Sequence, residues 1–190
     1  MIDLPPQDAQ QTIAAVVACG VPRAQVRIEY EEELQLDVLR IGKVGGAGDR
    51  RLRCILQAVH PVYAVEIADP REEAAYWTLA LEHGRARARA EGEIWLRQRG
   101  LFDALPRYRA GADVTAYARA VEAHCGVESG TALTLADRET LTVRAQFLDG
   151  VRGRGGDELA CLTNVLAASG LAEGGVNFGF IGGEEEKGRE

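Results

Sequence analysis

The chain has 190 residues, 46% of them hydrophobic and 27% charged, which suits one compact domain or two small ones with a real core. Its formal net charge of −7 argues against a general nucleic-acid binder, which needs a positive face to displace counterions. No apolar run approaches the ~20 residues that span a bilayer, and the opening MIDLPPQDAQ lacks the regions of a signal peptide. The expectation is a cytoplasmic protein with reduced thiols.

Asp8 and Gln11 form a capping box for a first helix, which carries Ile13, Val16 and Val17 and ends at Gly20. Residues 24–41 read as a β-hairpin, with Val26, Ile28 and Tyr30 alternating on one strand and Leu34, Leu36 and Val38 on the other. A glycine-rich loop, GKVGGAG, follows. Asp49 then caps a second helix carrying Leu52, Ile55, Leu56 and Val59, although so short an apolar run also fits a strand. His60-Pro61 breaks that element, and residues 62–67 form a further strand.

The best-marked element is a long central helix over residues 69–100. Asp69 is its N-cap, Pro70 suits the first helical position, Glu72 completes a capping box and Gly100 fits the left-handed position past its end. Trp77, Leu81, Gly84, Ala88 and Trp95 recur at helical spacing. The two tryptophans share a face roughly 27 Å apart. Ala80, Gly84, Ala88 and Gly92 form a ridge of small residues, and each glycine costs about 1 kcal/mol relative to alanine. Such a face either covers the protein's own sheets or pairs with a second subunit through Trp77, Leu81, Gly84, Ala88, Gly92 and Trp95. Arg85, Arg87 and Arg89 interleave with Glu82, Glu91 and Glu93, which reads as a solvated, salt-bridged face.

Beyond a linker at residues 101–112, Asp113 caps a helix carrying Val114, Tyr117, Ala118 and Val121 and ended by Gly126. A second hairpin places Leu133 and Leu135 opposite Leu141, Val143, Ala145 and Phe147. The loop DGVRGRGG leads to Asp157, cap of a helix with Leu159, Leu162, Val165 and Leu166 that stops at Gly170. Residues 176–181 form a last strand, and residues 183–190 a charged tail expected to be disordered.

Both accounts run helix, strand, strand, glycine loop, helix, strand. At an offset of 107, Leu34 matches Leu141, Val44 matches Val151, Gly46 and Gly48 match Gly153 and Gly155, and Cys54 matches Cys161. One residue out of register, Cys19-Gly20-Val21 matches Cys125-Gly126-Val127. The expected fold is therefore α+β, with two pseudo-symmetric αββαβ halves (1–68 and 113–182) joined by the long helix. This order resembles, in topology alone, the ring-building modules of secretion machines and BON-like domains, and a shared topology assigns no function.

The glycine loops each precede a helix N-terminus and are flanked by Lys43 and by Arg152 and Arg154, so Lys43, Gly46, Gly48, Arg152, Arg154 and Gly155 are candidates for holding an anion. Neither loop has a Walker or dinucleotide-fold pattern, and Asp49 and Asp157 would repel phosphate. The four cysteines form no CxxC pair. Their plainest reading is buried thiols, with a disulfide or a metal site as alternatives for Cys19 near Cys54 and Cys125 near Cys161. No catalytic constellation, cofactor or metal is predicted.

The leading expectation is a non-enzymatic assembly or adaptor protein, a homo-oligomer or a subunit bound to a protein partner. The alternative is a protein or enzyme subunit that binds a small anionic, phosphorylated metabolite at the glycine loops. Nucleic-acid binding through the arginines of the long helix is weaker still.

Overall fold

The computed structural model describes residues 9–33, 35–45, 48–59, 63–137, 139–151 and 156–180. Among them are six α-helices and two three-stranded sheets, a mixed α+β fold. The chain divides into two compact units, Met1–His83 and Gly84–Glu190, so the division falls inside the long helix and not at either of its ends.

In the first unit, α1 (Ala9–Ala18) buries Thr12, Ile13 and Val16, and Gly20 ends it with a φ of +91°. Strands β1 (Val26–Glu31) and β2 (Leu36–Ile41) pair antiparallel, and β3 (Ala64–Ile67) lies parallel to β2, with Leu39 beside Val65 and Ile41 beside Ile67. The ambiguous run between them is a helix, α2 (Asp49–Val59), whose buried Leu52, Ile55, Leu56 and Val59 follow the helical period. The strand alternation holds at Val26 but fails at Tyr30 and Leu36, which are exposed, and on β2 the core is reached by Leu39 and Ile41 instead of Leu36 and Val38. β3 pairs only with residues 38–41 of β2, so the far end of the hairpin lies beyond the three-stranded part of the sheet. Leu34 and Asp8 lie outside the described residues.

One face of this sheet joins the core through Val26, Leu39, Ile41, Val65 and Ile67, while Val38 is buried on the opposite face. On β1–β3, Arg40 bridges Glu29 at 3.0 Å, Glu31 at 2.6 Å and Glu66 at 2.9 Å. Glu66, then Glu29 and Glu31, hold the Arg40 guanidinium above its ordinary pKa against a smaller opposing effect of burial. Apolar on one side and charged on the other is the usual pattern for a sheet covered on one face.

The long helix is α3 (Pro70–Gln98). The Asp69 carboxylate accepts from the N–H groups of Arg71 at 2.9 Å and Glu72 at 3.3 Å, as an N-cap should. Glu72 also reaches further along the chain, accepting from the Val44 N–H at 2.9 Å. At the other end Gly100 has a φ of +69° and the Leu101 N–H donates to the Leu96 carbonyl at 2.9 Å, closing the helix.

In the second unit, residues 101–112 are no free linker. Leu105 and Tyr108 are buried, and the Tyr108 N–H and the Arg107 guanidinium each donate at 3.0 Å to the carbonyls of Ser169 and Ala168. Helix α4 (Val114–His124) is capped by Asp113, which accepts from Thr115 and Ala116. β4 (Leu133–Leu135) pairs antiparallel with β5 (Thr140–Val143), and β6 (Asn177–Phe180) lies parallel to β5.

Ala145 and Phe147 were expected on the second hairpin strand, but they belong to a short helix, α5 (Ala145–Val151). The N–H groups of Phe147 and Leu148 both donate to the Arg144 carbonyl, turning the chain directly after Val143. Phe147 and Leu148 then reach the core together, which alternation cannot achieve. Helix α6 (Asp157–Ala168) has Gly156 at its cap, with a φ of +73°, so Asp157 is its first residue and not the cap; Asp49 likewise begins α2. Residues 181–190, with the expected tail, lie outside the described residues. Among those described, no helix is long and apolar enough to cross a membrane.

Candidate functional site

The six candidate interface residues of α3 separate into two groups. Trp77 is 45% exposed and Leu81 60% exposed, while the core is reached by their neighbours Tyr76, Leu79 and Ala80. The stripe through Trp77 therefore does not cover the sheet of its own unit, contrary to the plainer expectation. Ala88 is also exposed, and a Cβ added to Gly84 would meet nothing within 4 Å.

Gly92 and Trp95 belong to the second group. A Cβ on Gly92 would stand 2.8 Å from the Asn164 carbonyl oxygen, so this glycine permits close approach of α3 and α6 inside the second unit. Trp95 is half-buried against the core there, and the Arg99 guanidinium lies 3.9 Å from its ring centroid. The small-residue ridge thus has one internal use, at Gly92, and leaves Gly84 open.

Arg87, Arg89 and Arg97 of α3 are engaged by acids. Arg87 pairs with Glu91 at 2.7 Å, and Arg89 with Glu93 at 3.4 Å and Glu173 at 2.8 Å. Burial works against the charge on Glu93, but hydrogen bonds from Arg97 and Arg89 outweigh it and hold Glu93 below the ordinary carboxylate range. This is the salt-bridged face its spacing implied.

Of the candidate anion-binding residues, Gly46, Arg152, Arg154 and Gly155 lie outside the described residues. Lys43 and Gly48 are exposed, and Gly48 lines an open depression of about 730 Å³ together with Gly45, Asp49, Arg50 and Arg51, whereas Lys43 does not. Two loop groups already have partners: the Val44 N–H donates to Glu72, and the Val44 carbonyl accepts from Arg51. With Asp49 in the first turn of α2, the local field disfavours a phosphate.

The cysteines are joined. Cys19–Cys54 links α1 to α2, and Cys125–Cys161 links α4 to α6, each with Cα atoms 5.7 Å apart. Buried free thiols, the plainest sequence reading, are replaced by two disulfides. Among the described residues, no group of three His, Cys, Asp or Glu side chains is placed to hold a metal ion.

One chemically prominent residue carried no sequence signal. Glu122 on α4 is wholly buried, and its carboxylate accepts from the N–H groups of Gly130 at 2.5 Å and of Ala132 and Leu133 at 2.8 Å. A single glutamate within a helix has no motif, and only its position on the apolar side with Ala118 and Val121 hinted at burial. No protein-family model, curated protein or solved structure matches this chain.

Proposed function

We propose that this chain is a non-enzymatic assembly or adaptor protein that binds another protein chain through the exposed face of α3. The observation that carries the reading is the pair Trp77 and Leu81, large apolar side chains one helical turn apart and both well exposed. Burying what remains exposed of each recovers roughly 1–1.5 kcal/mol, and tryptophan is among the residues most enriched at the energetic centres of interfaces. Gly84, one turn further along, gives a partner backbone room to approach. A second copy meeting the same face in an antiparallel two-fold contact is the simplest partner.

The test is Gly84→Leu. Its side chain has space in the isolated chain, so the fold should survive while the mass in solution falls to that of a monomer. Light scattering that gives the same mass for both proteins would remove α3 from the interface. The anion-binding alternative has less support, because the Val44 N–H and the α2 N-terminus already face carboxylates.

The two units read as copies of one αββαβ ancestor. Three correspondences support this: the strand orders β1-β2-β3 and β4-β5-β6, the same antiparallel-then-parallel pairing, and a disulfide between the two helices of each unit. The Gly42 N–H donates to the Gln25 carbonyl as the Arg144 N–H donates to that of Ala132. The first strands thus keep the offset of 107, from Val26 to Leu133, whereas the second strands correspond at 102, from Ile41 to Val143. The shorter second hairpin is made up by α5, which restores the offset of 107 at Cys54 and Cys161.

The disulfides bear on location. Reducing pools keep most cytosolic thiols unpaired, so two pairings favour an oxidising compartment over the cytoplasm the sequence suggested. Alkylation of the protein in its own cells decides this: no modified cysteine supports the oxidised reading, and four modified cysteines return it to the cytoplasm.

A further inference from the structure

We infer that the second unit binds a small organic carboxylate in the cavity between α4 and the β4–β5 hairpin, with Arg119 and Arg144 as the cationic clamp. The cavity measures about 260 Å³, and its lining among the described residues comes from residues 115–144. Its apolar lining includes Ala118, Leu133 and Leu141, all buried. Arg119 on α4 and Arg144 just after β5 both line the same space.

The charges there are unbalanced. Neither arginine has a carboxylate partner among the described residues. Arg144 Nε is cut off from solvent, yet donates no hydrogen bond among them. A buried donor without an acceptor is costly and rare, and an arginine offers five N–H groups in a fork that matches a carboxylate. Glu122 is the only acid lining the cavity among the described residues, but both its oxygens already accept backbone N–H groups, from Ala132 and Leu133 on one and Gly130 on the other. Its charge is answered by those amides and leaves the guanidinium groups to an outside anion.

The corresponding strand pair in the first unit carries different residues. Gly42 and Gln25 hold the hydrogen bond that Arg144 and Ala132 hold in the second. A Cβ on Gly42 would come within 3.1 Å of the Gln25 side chain, whereas the second unit has the small Ala132 in place of Gln25 and Arg144 in place of Gly42. A large residue and a small one have exchanged sides across the strand pair, so this position carries a cation in the second unit and a glycine in the first. An apolar floor beneath two cations selects an anion with a short aliphatic tail, and the volume limits it to a small one.

The probe is sodium butyrate, titrated into the full chain with sodium chloride and inorganic phosphate as controls at equal ionic strength. Backbone amide shifts at Thr134 and Leu141 report occupancy, and thermal melting reports affinity. The expected result is saturable binding of butyrate, weaker binding of phosphate, and a loss of about tenfold or more in Arg144→Met. Arg119→Gln should weaken binding several-fold. No saturable shift, saturable phosphate binding without butyrate, or unchanged butyrate binding in Arg144→Met would each overturn the assignment. Should Arg144→Met fail to fold, Arg144→Lys keeps the charge and loses the fork. Butyrate affinity equal to that of the unaltered chain would then overturn it.

Discussion

Glu122 shows how much one side chain can organise without any sequence motif. Its carboxylate ties the turn at Gly130 and the start of β4 back to α4. In the alignment of the two units its place falls to Val16, equally buried, and the shorter turn there closes by a Gln25 N–H to Pro22 carbonyl bond. Replacing Glu122 by glutamine turns one acceptor into a donor that faces N–H groups. Urea unfolding should show a loss of about 1.5–3 kcal/mol for Glu122→Gln. Two tyrosines make a different prediction. Burial pushes the Tyr76 phenol up to about 12 and does the same to Tyr117, partly opposed by its hydrogen bond with Ser169. Unfolded phenols ionise near 10. Both groups therefore contribute full stability below pH 10, and that contribution fades as pH rises towards 12. Melting temperature should fall across this window, and Tyr76→Phe with Tyr117→Phe should flatten the fall.

At the level of elements, helix boundaries were the most legible part of the chain, because caps are local chemistry. Asp69, Asp113, Gly100 and Gly126 all act where their residue types imply. Which face of α3 turns inward was not legible. Trp77 and Leu81 are as apolar as Tyr76 and Leu79, and only the packing of the first unit decides between two adjacent stripes. α5 was hidden for a related reason, since Val143, Ala145 and Phe147 satisfy a strand period until the turn at Arg144 is known. The two helix glycines, identical in the pattern, separate in energy. Gly84→Ala should stabilise by up to about 1 kcal/mol, because the added methyl meets nothing. Gly92→Ala should destabilise by about 1–3 kcal/mol, because the methyl meets the Asn164 carbonyl. Thermal unfolding of the pair checks both signs. Each disulfide closes a loop of similar length, with partners 35 and 36 residues apart. Replacing either pair by serines should therefore cost roughly 4 kcal/mol in the chain-entropy account, measured by denaturant titration.

For the whole molecule, the class of fold followed from element order, and a constant offset between the halves did not. Equal lengths conceal a hairpin shortened in the second unit and a helix added after it, so only hydrogen-bond register brings Ile41 to Val143. The glycine loops looked like the chemistry of the chain by composition. In the described part of the first, the polar groups of Val44 are taken up internally, and the exposed apolar pair on α3 stands out instead. That pair is the centre of the functional account, and native mass spectrometry on gently purified protein tests it most directly. The account predicts a dimer or a complex with another chain, reduced to a 20.5 kDa species by Trp77→Ser with Leu81→Ser. A 20.5 kDa monomer from the unaltered protein, or an assembly that survives both substitutions, would contradict it.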